Sequence, residues 1–267
     1  MQLSQERVVK MYRLGFNASP LVIAHRGGAL VAPENSWESL EYCADNGFHY
    51  VETDAHLSAD GEVILVHDPV LDRVSNGSGL VAEHTWEELS QLRINDSASG
   101  FVRLADALDR FPQLFFNIDA KEDEVSLAMV DVIRAHNATD RVCLASFSST
   151  RLADIRAYAP EIATSLGQTE VGRLWSAAQL TVPAKYFKVP GPVDSVVAVQ
   201  VPLSLGPVKI VTPRFVAHAH KHGLAVHVWT LNTEEEILEA LDAGADGIVT
   251  DDPGLADLVI ATRGLQF

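Results

Sequence analysis

Two histidines in this chain follow short apolar segments, and both are suited to proton transfer. The segment "LVIAH" ends in His25 and continues into Arg26 and two glycines, while "GEVILVHD" ends in His67 and Asp68. Because histidine exchanges protons near neutral pH, one of the pair can take a proton from a nucleophile while the other donates one to a leaving group. Either histidine alone would be read as structural. Together they predict general acid–base catalysis.

Three carboxylates accompany the histidines. Glu52 and Asp54 are two residues apart in "YVETDAHL", so in a strand both side chains point to one face, and Asp119 in "FNIDAK" can supply a third. Carboxylates held together repel unless a proton or a cation lies between them. Oxygen ligands suit Mg²⁺, Ca²⁺ or Mn²⁺, so we predict one divalent cation here. The alternative is a set of salt bridges to Arg26 and Lys121.

Arg26 and Lys121 are predicted to bind an anionic substrate. Arginine offers a planar fork for a phosphate, and lysine offers a point charge. With a metal ion, they would stabilise the negative charge of a pentavalent phosphorus transition state. Trp229, which ends the segment "VHVW", is predicted to line the pocket against an alcohol or choline-like group. Packing in the core is the alternative for Trp229.

The other histidines have weaker signals. His56 shares the strand face of Glu52 and Asp54, which leaves a contact with substrate open. In "AHAHKHG", His218 and His222 share a helix face, but the first histidine has no glutamate after it, so we predict a solvated surface rather than a metal site. The same surface placement is predicted for four more histidines: His49, His84, His136 and His227.

Eight short apolar segments that end in polar residues or glycine are predicted as strands. They start at Leu21, His49, Leu114, Arg141, Glu161, Val196, Ala225 and Asp246. Amphipathic stretches of helical period lie between most of them, and this alternation predicts a (β/α)8 TIM barrel with its reacting groups at the C-terminal strand ends. A doubly wound open sheet is the alternative, but "HRGGALVAPEN" lacks the G-x-G-x-x-G pattern.

A short insertion is predicted after the second strand. The D-G turn signal in "SADGE" indicates that the chain folds back there and brings His67 and Asp68 to the barrel mouth. The stretch from Gly167 to Asp194 is the least readable. No linker or low-complexity tract divides residues 1–267, so we predict one domain with its core at about 21–258.

The composition restricts the classes of partner and compartment. A formal charge of −16, from 20 basic and 36 acidic residues, argues against nucleic acid and against an anionic membrane surface. No stretch approaches the ~18 apolar residues of a membrane span, and "MQLSQERVVKMYRLGF" lacks the apolar core of a secretory leader. The two cysteines, Cys43 and Cys143, are predicted to be buried thiols. We therefore expect a cytoplasmic protein, of unspecified oligomeric state.

Taken together, the motifs resemble those of the glycerophosphodiester phosphodiesterase family. The matching segments are "IAHRGG" with "PENS", "VETDAHLSADGEVILVHD", "FNIDAK", "VHVWTLN" and "GADGIVTDDP", in family order from Leu21 to about Leu258. The resemblance implies a metal-dependent barrel enzyme that hydrolyses glycerophosphodiesters to sn-glycerol 3-phosphate and an alcohol. A glycerol hydroxyl attacks first in the family's proposed mechanism, giving a cyclic phosphate that water opens.

The resemblance also implies residue roles. His25 and His67 match the general base and general acid, and Arg26 and Lys121 match the phosphate contacts. Glu52, Asp54 and Asp119 match the metal ligands. The chain departs from the family at Ser36, where threonine is common, and at Asp119, where glutamate is usual in "EIK". The shorter aspartate affects the expected choice of metal more than the reaction class.

Two alternatives from other classes stay open. One is an enzyme of the same scaffold that acts on intact phospholipids, like the related sphingomyelinase D-like enzymes, which are secreted and need an apolar mouth. The other is a barrel that binds a ligand but has lost catalysis. The charge of −16 counts against the first, and the presence of both histidines with Glu52 and Asp54 counts against the second.

Overall fold

The computed structural model describes residues 20–95 and 97–264, so the prediction about a leader at the N-terminus lies outside the described residues. All eight predicted barrel strands are present. The strands are β1 Leu21–His25, β2 Tyr50–Leu57, β3 Val63–Leu65, β4 Val102–Arg103, β5 Phe115–Ala120, β6 Val142–Ala145, β7 Ala163–Ser165, β8 Val196–Pro202, β9 Ser204–Leu205, β10 Val208–Lys209, β11 Ala225–Trp229 and β12 Gly247–Thr250.

Helices follow the barrel strands, as the amphipathic periodicity predicts. They are α1 Trp37–Asp45, α2 Trp86–Leu89, α3 Leu104–Arg110, α4 Asp123–Ala135, α5 Ser149–Tyr158, α6 Gln168–Leu180, α7 Pro213–Lys221, α8 Glu234–Asp242 and α9 Pro253–Thr262. The hydroxyl of Ser36 accepts a hydrogen bond from the Ser39 amide at 3.1 Å, so serine caps α1 as predicted. None of the described helices is long and apolar enough to cross a membrane.

The chain divides into two compact units. The central unit is Ala24–Val142, and the terminal unit contains the described residues 20–23 and 143–264. In the central unit the strand order is β5-β2-β3-β4, and in the terminal unit it is β12-β11-β8-β7-β6. The sequence of parallel strands with intervening helices is that of a (β/α)8 barrel, which confirms the predicted fold class.

The predicted insertion folds back on β2. Strand β3 pairs with β2 in the antiparallel direction, with Ala55 opposite Leu65, and β4 pairs with β3. Between β3 and β4 the chain has its own apolar cluster, in which Leu71 and Val74 pack with Val81 and Leu89. This cluster anchors the loop that follows β3, where His67 and Asp68 lie.

One surface prediction is wrong. His227 lies on β11 and is only 3% exposed, because its ring packs against Gly247, where a β-carbon would lie 2.7 Å from the ring. Its Nε2 has no hydrogen-bond partner in the described part of the chain. His218 and His222 are half-buried, and Nε2 of His222 lies 3.0 Å from the carbonyl oxygen of Val189. His227 is buried because β11 lies between β8 and β12 in the sheet.

Burial of His227 predicts that the protein loses stability in mild acid. Burial lowers the pKa of His227 to about 4 from its usual 6.5, so the folded chain binds fewer protons than the unfolded chain between these values. The free energy of unfolding should therefore fall as the pH drops from 6.5 towards 4, by roughly 2 kcal/mol at pH 5. Urea unfolding of the wild type and of His227→Gln at pH 7 and pH 5 measures this. If the free energy of unfolding changed by the same amount between pH 7 and pH 5 in both proteins, the prediction would be contradicted.

Candidate active site

Strand β1 ends in a turn that only a glycine-rich sequence can make. Three consecutive residues have left-handed backbones, with φ of 51° at Arg26, 80° at Gly27 and 97° at Gly28. A β-carbon on Gly27 would lie 2.4 Å from Oγ of Ser39 in α1, so no larger residue fits there. Arg26 is not a glycine, and a left-handed backbone at such a residue is costly and typical of functional sites. The turn directs this arginine into the site.

The Arg26 side chain contacts two carboxylates. Its Nη1 donates to Oε1 of Glu34 at 3.1 Å, and its Nε lies 3.5 Å from Oδ2 of Asp54. The backbone N–H of Arg26 donates to Oε2 of Glu52 at 3.2 Å. Among the described residues, the buried Nε has no hydrogen-bond partner. Arg26 is therefore fixed in place, with its guanidinium beside the carboxylate cluster.

The predicted carboxylates lie side by side on two parallel strands. Asp54 of β2 is in register with Asp119 of β5, and all three carboxylates are buried. Nζ of Lys121 lies between Asp54 and Asp119, at 2.7 Å from Oδ1 of the first and 2.8 Å from Oδ2 of the second. The salt bridges considered as the alternative to a metal site are thus present in the structure.

The pKa values of the two carboxylates of β2 are shifted in opposite directions. Burial and the negative charge of Asp54 raise the pKa of Glu52 to about 8, against the lowering effect of His25. Burial also favours the protonated form of Asp54, but Lys121 and Arg26 outweigh it and hold the pKa of Asp54 below its usual value. The Lys121 pKa is raised despite burial, because Asp119 and Asp54 stabilise its ammonium form. At Glu52, therefore, burial and the neighbouring carboxylates outweigh the stabilising effect of the positive groups on the ionised form.

The donor chemistry fits a hard divalent cation, although the described residues contain no ready-made group of three metal-binding side chains. The available ligands are carboxylate oxygens, and a bound cation would counteract the burial that raises the pKa of Glu52. In the structure, the ammonium group of Lys121 neutralises the carboxylates of Asp54 and Asp119. A cation bound by Glu52, Asp54 and Asp119 would take over that role and leave the ammonium available for a phosphate.

The two histidines lie in the same unit as these groups. Nε2 of His25, at the end of β1, is 3.8 Å from Oε2 of Glu52. His67 lies just beyond β3, with its side chain 35% exposed, and its Nδ1 is 2.6 Å from Oδ1 of Asp68. An N–H at Nδ1 donating to this carboxylate leaves Nε2 as the nitrogen that can exchange a proton with a substrate.

His56 contacts the backbone of His67. Its Nε2 lies 3.2 Å from the carbonyl oxygen of His67, and its Nδ1 lies 3.1 Å from Oε2 of Glu122. His56 is only 5% exposed. The possibility that His56 touches substrate is therefore less well supported than a role in holding the His67 backbone.

Sequence reasoning did not assign a role to Asn35, which lies within "PENS". Its Nδ2 donates to Oδ2 of Asp54 at 3.3 Å, and its Oδ1 accepts a hydrogen bond from Thr53 at 2.7 Å. The backbone N–H of Asn35 donates to the carbonyl oxygen of Arg26 at 2.9 Å, and its φ is 53°. Asparagine tolerates this left-handed backbone better than most residues, which is the signal that could have identified it.

Trp229 lies in the terminal unit, at the end of β11. Its ring makes an edge contact with Phe147, with centroids 6.0 Å apart and an interplanar angle of 69°. Trp229 is half-buried and Phe147 is 61% exposed. An aromatic surface is therefore present at that strand end, and the substrate-binding role of Trp229 stays a prediction.

Comparison with known proteins identifies the family. Residues 25–255 match the model of the glycerophosphoryl diester phosphodiesterase family. A probable glycerophosphodiester phosphodiesterase 2 of Mycobacterium tuberculosis is 31% identical over 246 residues, which cover 91% of this chain and 92% of that protein. A glycerophosphodiester phosphodiesterase of Caldanaerobacter subterraneus is 28% identical, covering 87% of this chain and 94% of that protein.

Solved structures agree with this assignment. A phosphodiesterase of Oleispira antarctica in complex with its product sn-glycerol-3-phosphate has a TM-score of 0.74 and 27% identity, covering 91% of this chain and 97% of that chain. A glycerophosphoryl diester phosphodiesterase structure from Silicibacter pomeroyi, at 23% identity, shares the fold with a TM-score of 0.77, covering 98% of this chain and 99% of that chain. This chain is therefore an enzyme of the phosphoric diester hydrolase class, and it belongs to the glycerophosphoryl diester phosphodiesterase family.

Proposed function

We propose that this enzyme hydrolyses glycerophosphodiesters to sn-glycerol 3-phosphate and an alcohol, with His25 and His67 as general base and general acid and with one divalent cation. The supporting observation is the presence of both histidines, Arg26 and the carboxylates of β2 in one compact unit. The Oleispira antarctica relative, whose structure contains sn-glycerol-3-phosphate, supports the choice of product.

Arg26 and Lys121 bind the phosphate in this proposal. The guanidinium of Arg26 supplies directed donors, and Glu34 holds it in position through Nη1 at 3.1 Å. Lys121 supplies a compact positive charge from the edge of the carboxylate cluster. Two positive groups on the phosphate stabilise the additional negative charge of a pentavalent transition state.

The reaction proceeds in two steps, formation of a cyclic phosphate and its hydrolysis. His25 takes the proton of the glycerol hydroxyl next to the phosphate, and that oxygen forms a bond to phosphorus while the bond to the alcohol oxygen breaks. His67 donates a proton to the departing alcohol. Water then opens the cyclic phosphate with the two histidines in exchanged roles, which restores both to their starting protonation states.

Glu52, Asp54 and Asp119 are the side chains that would hold the cation. When bound, it supplies Lewis-acid stabilisation of charge on the phosphoryl oxygens. Mg²⁺, Ca²⁺ and Mn²⁺ all accept carboxylate oxygen ligands, so the donor set alone does not rank them. Asp119 reaches one methylene less far than the glutamate that is usual in the family.

Two further parts of the proposal concern the surroundings. Cys43 and Cys143 are both buried free thiols, which supports a reducing compartment such as the cytoplasm. Trp229, with its exposed neighbour Phe147, supports an aromatic wall for the alcohol portion of the substrate.

A panel of substrates and cations tests the proposed function. The purified enzyme should release glycerol 3-phosphate from glycerophosphocholine or glycerophosphoethanolamine with at least one of Mg²⁺, Ca²⁺ and Mn²⁺. Intact lysophosphatidylcholine and sphingomyelin serve as the comparison. Faster turnover of these lipids would favour the phospholipase alternative, and no turnover of any diester with any cation would favour the ligand-binding alternative.

The neighbouring-hydroxyl step predicts strict dependence on the glycerol 2-hydroxyl. A 2-deoxy analogue of glycerophosphocholine should not be cleaved, because it lacks the oxygen that attacks phosphorus. Choline release from the analogue and from the parent compound is measured under the same conditions, and inhibition of the parent reaction by the analogue verifies that it binds. Comparable cleavage of both compounds would show that water attacks directly.

A further inference from the structure

An unbroken series of ion pairs connects His67 to Arg26. His67 contacts Asp68, Asp68 contacts Arg73, Arg73 contacts Glu34, and Glu34 contacts Arg26. The first and last residues of the series are the proposed acid and a proposed phosphate ligand. The central residue, Arg73, contacts both carboxylates and was not assigned a role from the sequence.

Arg73 joins the two carboxylates through separate parts of one guanidinium. Its Nε donates to Oδ2 of Asp68, while Nη1 and Nη2 donate to Oε2 and Oε1 of Glu34 at 3.0 and 2.7 Å. A paired bond of this type fixes the plane of the carboxylate as well as its distance. Lysine has one nitrogen and cannot reproduce both contacts in these directions.

The backbone that carries Arg73 is itself held in place. Leu71 and Val74 on either side of it are buried in the apolar cluster of the insertion. The carbonyl oxygen of Arg73 accepts a hydrogen bond from Nδ2 of Asn95 at 2.9 Å. The guanidinium therefore projects from a fixed point towards Asp68 and Glu34.

We infer that Arg73 is a positioning residue, which aligns His67 through Asp68 and Arg26 through Glu34. This inference rests on the proposed acid–base roles. Asp68 must stay ionised to accept the Nδ1 proton of His67, and the hydrogen bond from Arg73 is the main reason that the pKa of Asp68 falls to about 2. With Nδ1 so engaged, Nε2 of His67 is left to deliver a proton to the departing alcohol.

The network contributes to geometry more than to stability. The Arg73 side chain is 49% exposed, and exposed ion pairs change the free energy of unfolding little. Replacing Arg73 should therefore leave the fold intact. Misplacing a proton donor by about 1 Å can nevertheless cost about 100-fold in rate, so a large kinetic effect is expected without unfolding.

The experiment compares two leaving groups in Arg73→Gln. Glycerophosphocholine releases an aliphatic alcohol that needs a proton, whereas glycerol 4-nitrophenyl phosphodiester releases a phenolate that does not. The single-turnover rate of choline release from glycerophosphocholine should fall roughly 10- to 100-fold, and that of 4-nitrophenolate release from the nitrophenyl diester by less than about 3-fold, because this rate reports the first step alone. Arg73→Gln can also raise KM, because Glu34 then holds Arg26 less firmly. This rise should be similar for both substrates. Arg110→Gln, which removes an exposed ion pair with Glu41, is the matched control and should leave both release rates unchanged.

The outcomes separate this inference from the proposed function. Equal losses in the rate of leaving-group release from both substrates, or no loss from either, would overturn the positioning role while the wild type remains active. An inactive wild type on both substrates would overturn the proposed function and this inference with it. A double variant provides a second test. When Asp68 is already replaced by Asn, the additional change Arg73→Gln should lower the rate with glycerophosphocholine little further, because both residues act on His67. Additive losses of rate in the double variant would contradict this. Should Arg73→Gln not fold, Arg73→Lys is compared in the same way, with the same selective loss expected.

Discussion

His67→Ala should lower kcat for glycerophosphocholine by roughly 10²-fold or more, and His25→Ala should do the same. The first removes the proposed acid, which protonates the alcohol, and the second removes the proposed base, which accepts the proton of the attacking hydroxyl. Steady-state rates of choline release at saturating substrate and cation give the comparison. The effect should fall mainly on kcat, because Arg26 and Lys121, the proposed phosphate ligands, are retained.

A matched control exists for this prediction. His136 also pairs with an aspartate, with Nδ1 at 2.6 Å from Oδ1 of Asp109, as His67 does with Asp68. His136→Ala should therefore report the cost of losing a surface histidine–aspartate pair without a catalytic role. A His25 or His67 variant as active as His136→Ala would remove that histidine from the mechanism.

Removing the cation should have the second large effect. Treatment with EDTA is expected to reduce turnover to below about 1% of the untreated rate, and readdition of the preferred cation should restore it. Asp54→Asn should weaken cation binding, because it removes a buried carboxylate and leaves Lys121 paired only with Asp119. Calorimetric titration with Mn²⁺ measures binding separately from activity.

Asp109→Asn is the control for the carboxylate variant, since this side chain is 69% exposed and lies outside the proposed cation site. It should bind Mn²⁺ as the wild type does. Full turnover after EDTA treatment, with Mn²⁺ binding unaltered in Asp54→Asn, would contradict the cation site.

The strand ends that carry the site were predictable because parallel strands place their polar termini at one end. His25 ends β1 as predicted, and the register of β2 with β5 brings Asp54 level with Asp119. The alternation of Glu52 and Asp54 on one strand face needs only the period of two. These features depend on local periodicity, which a single sequence contains.

Other contacts depend on how distant segments meet. Arg73 pairs with Glu34, which is 39 residues earlier, and no local pattern indicates that partner. Asn35 was visible as part of a motif, but its contact with Asp54 follows from the turn after β1. His227 looked like another surface histidine, whereas the packing of β11 places it inside. The helix α6 formed where the sequence was least readable, because its apolar residues, such as Leu174, are buried by packing.

Phosphorus NMR of the wild-type enzyme acting on glycerophosphocholine tests the central claim most directly. The substrate resonance should be replaced by that of glycerol 3-phosphate, with free choline appearing in equal amount, because the bond between phosphorus and the choline oxygen breaks. A signal for the cyclic glycerol phosphate before the final product would agree with attack by the neighbouring hydroxyl. Accumulation of phosphocholine and glycerol, or no change in the substrate signal with any of the three cations, would contradict the account.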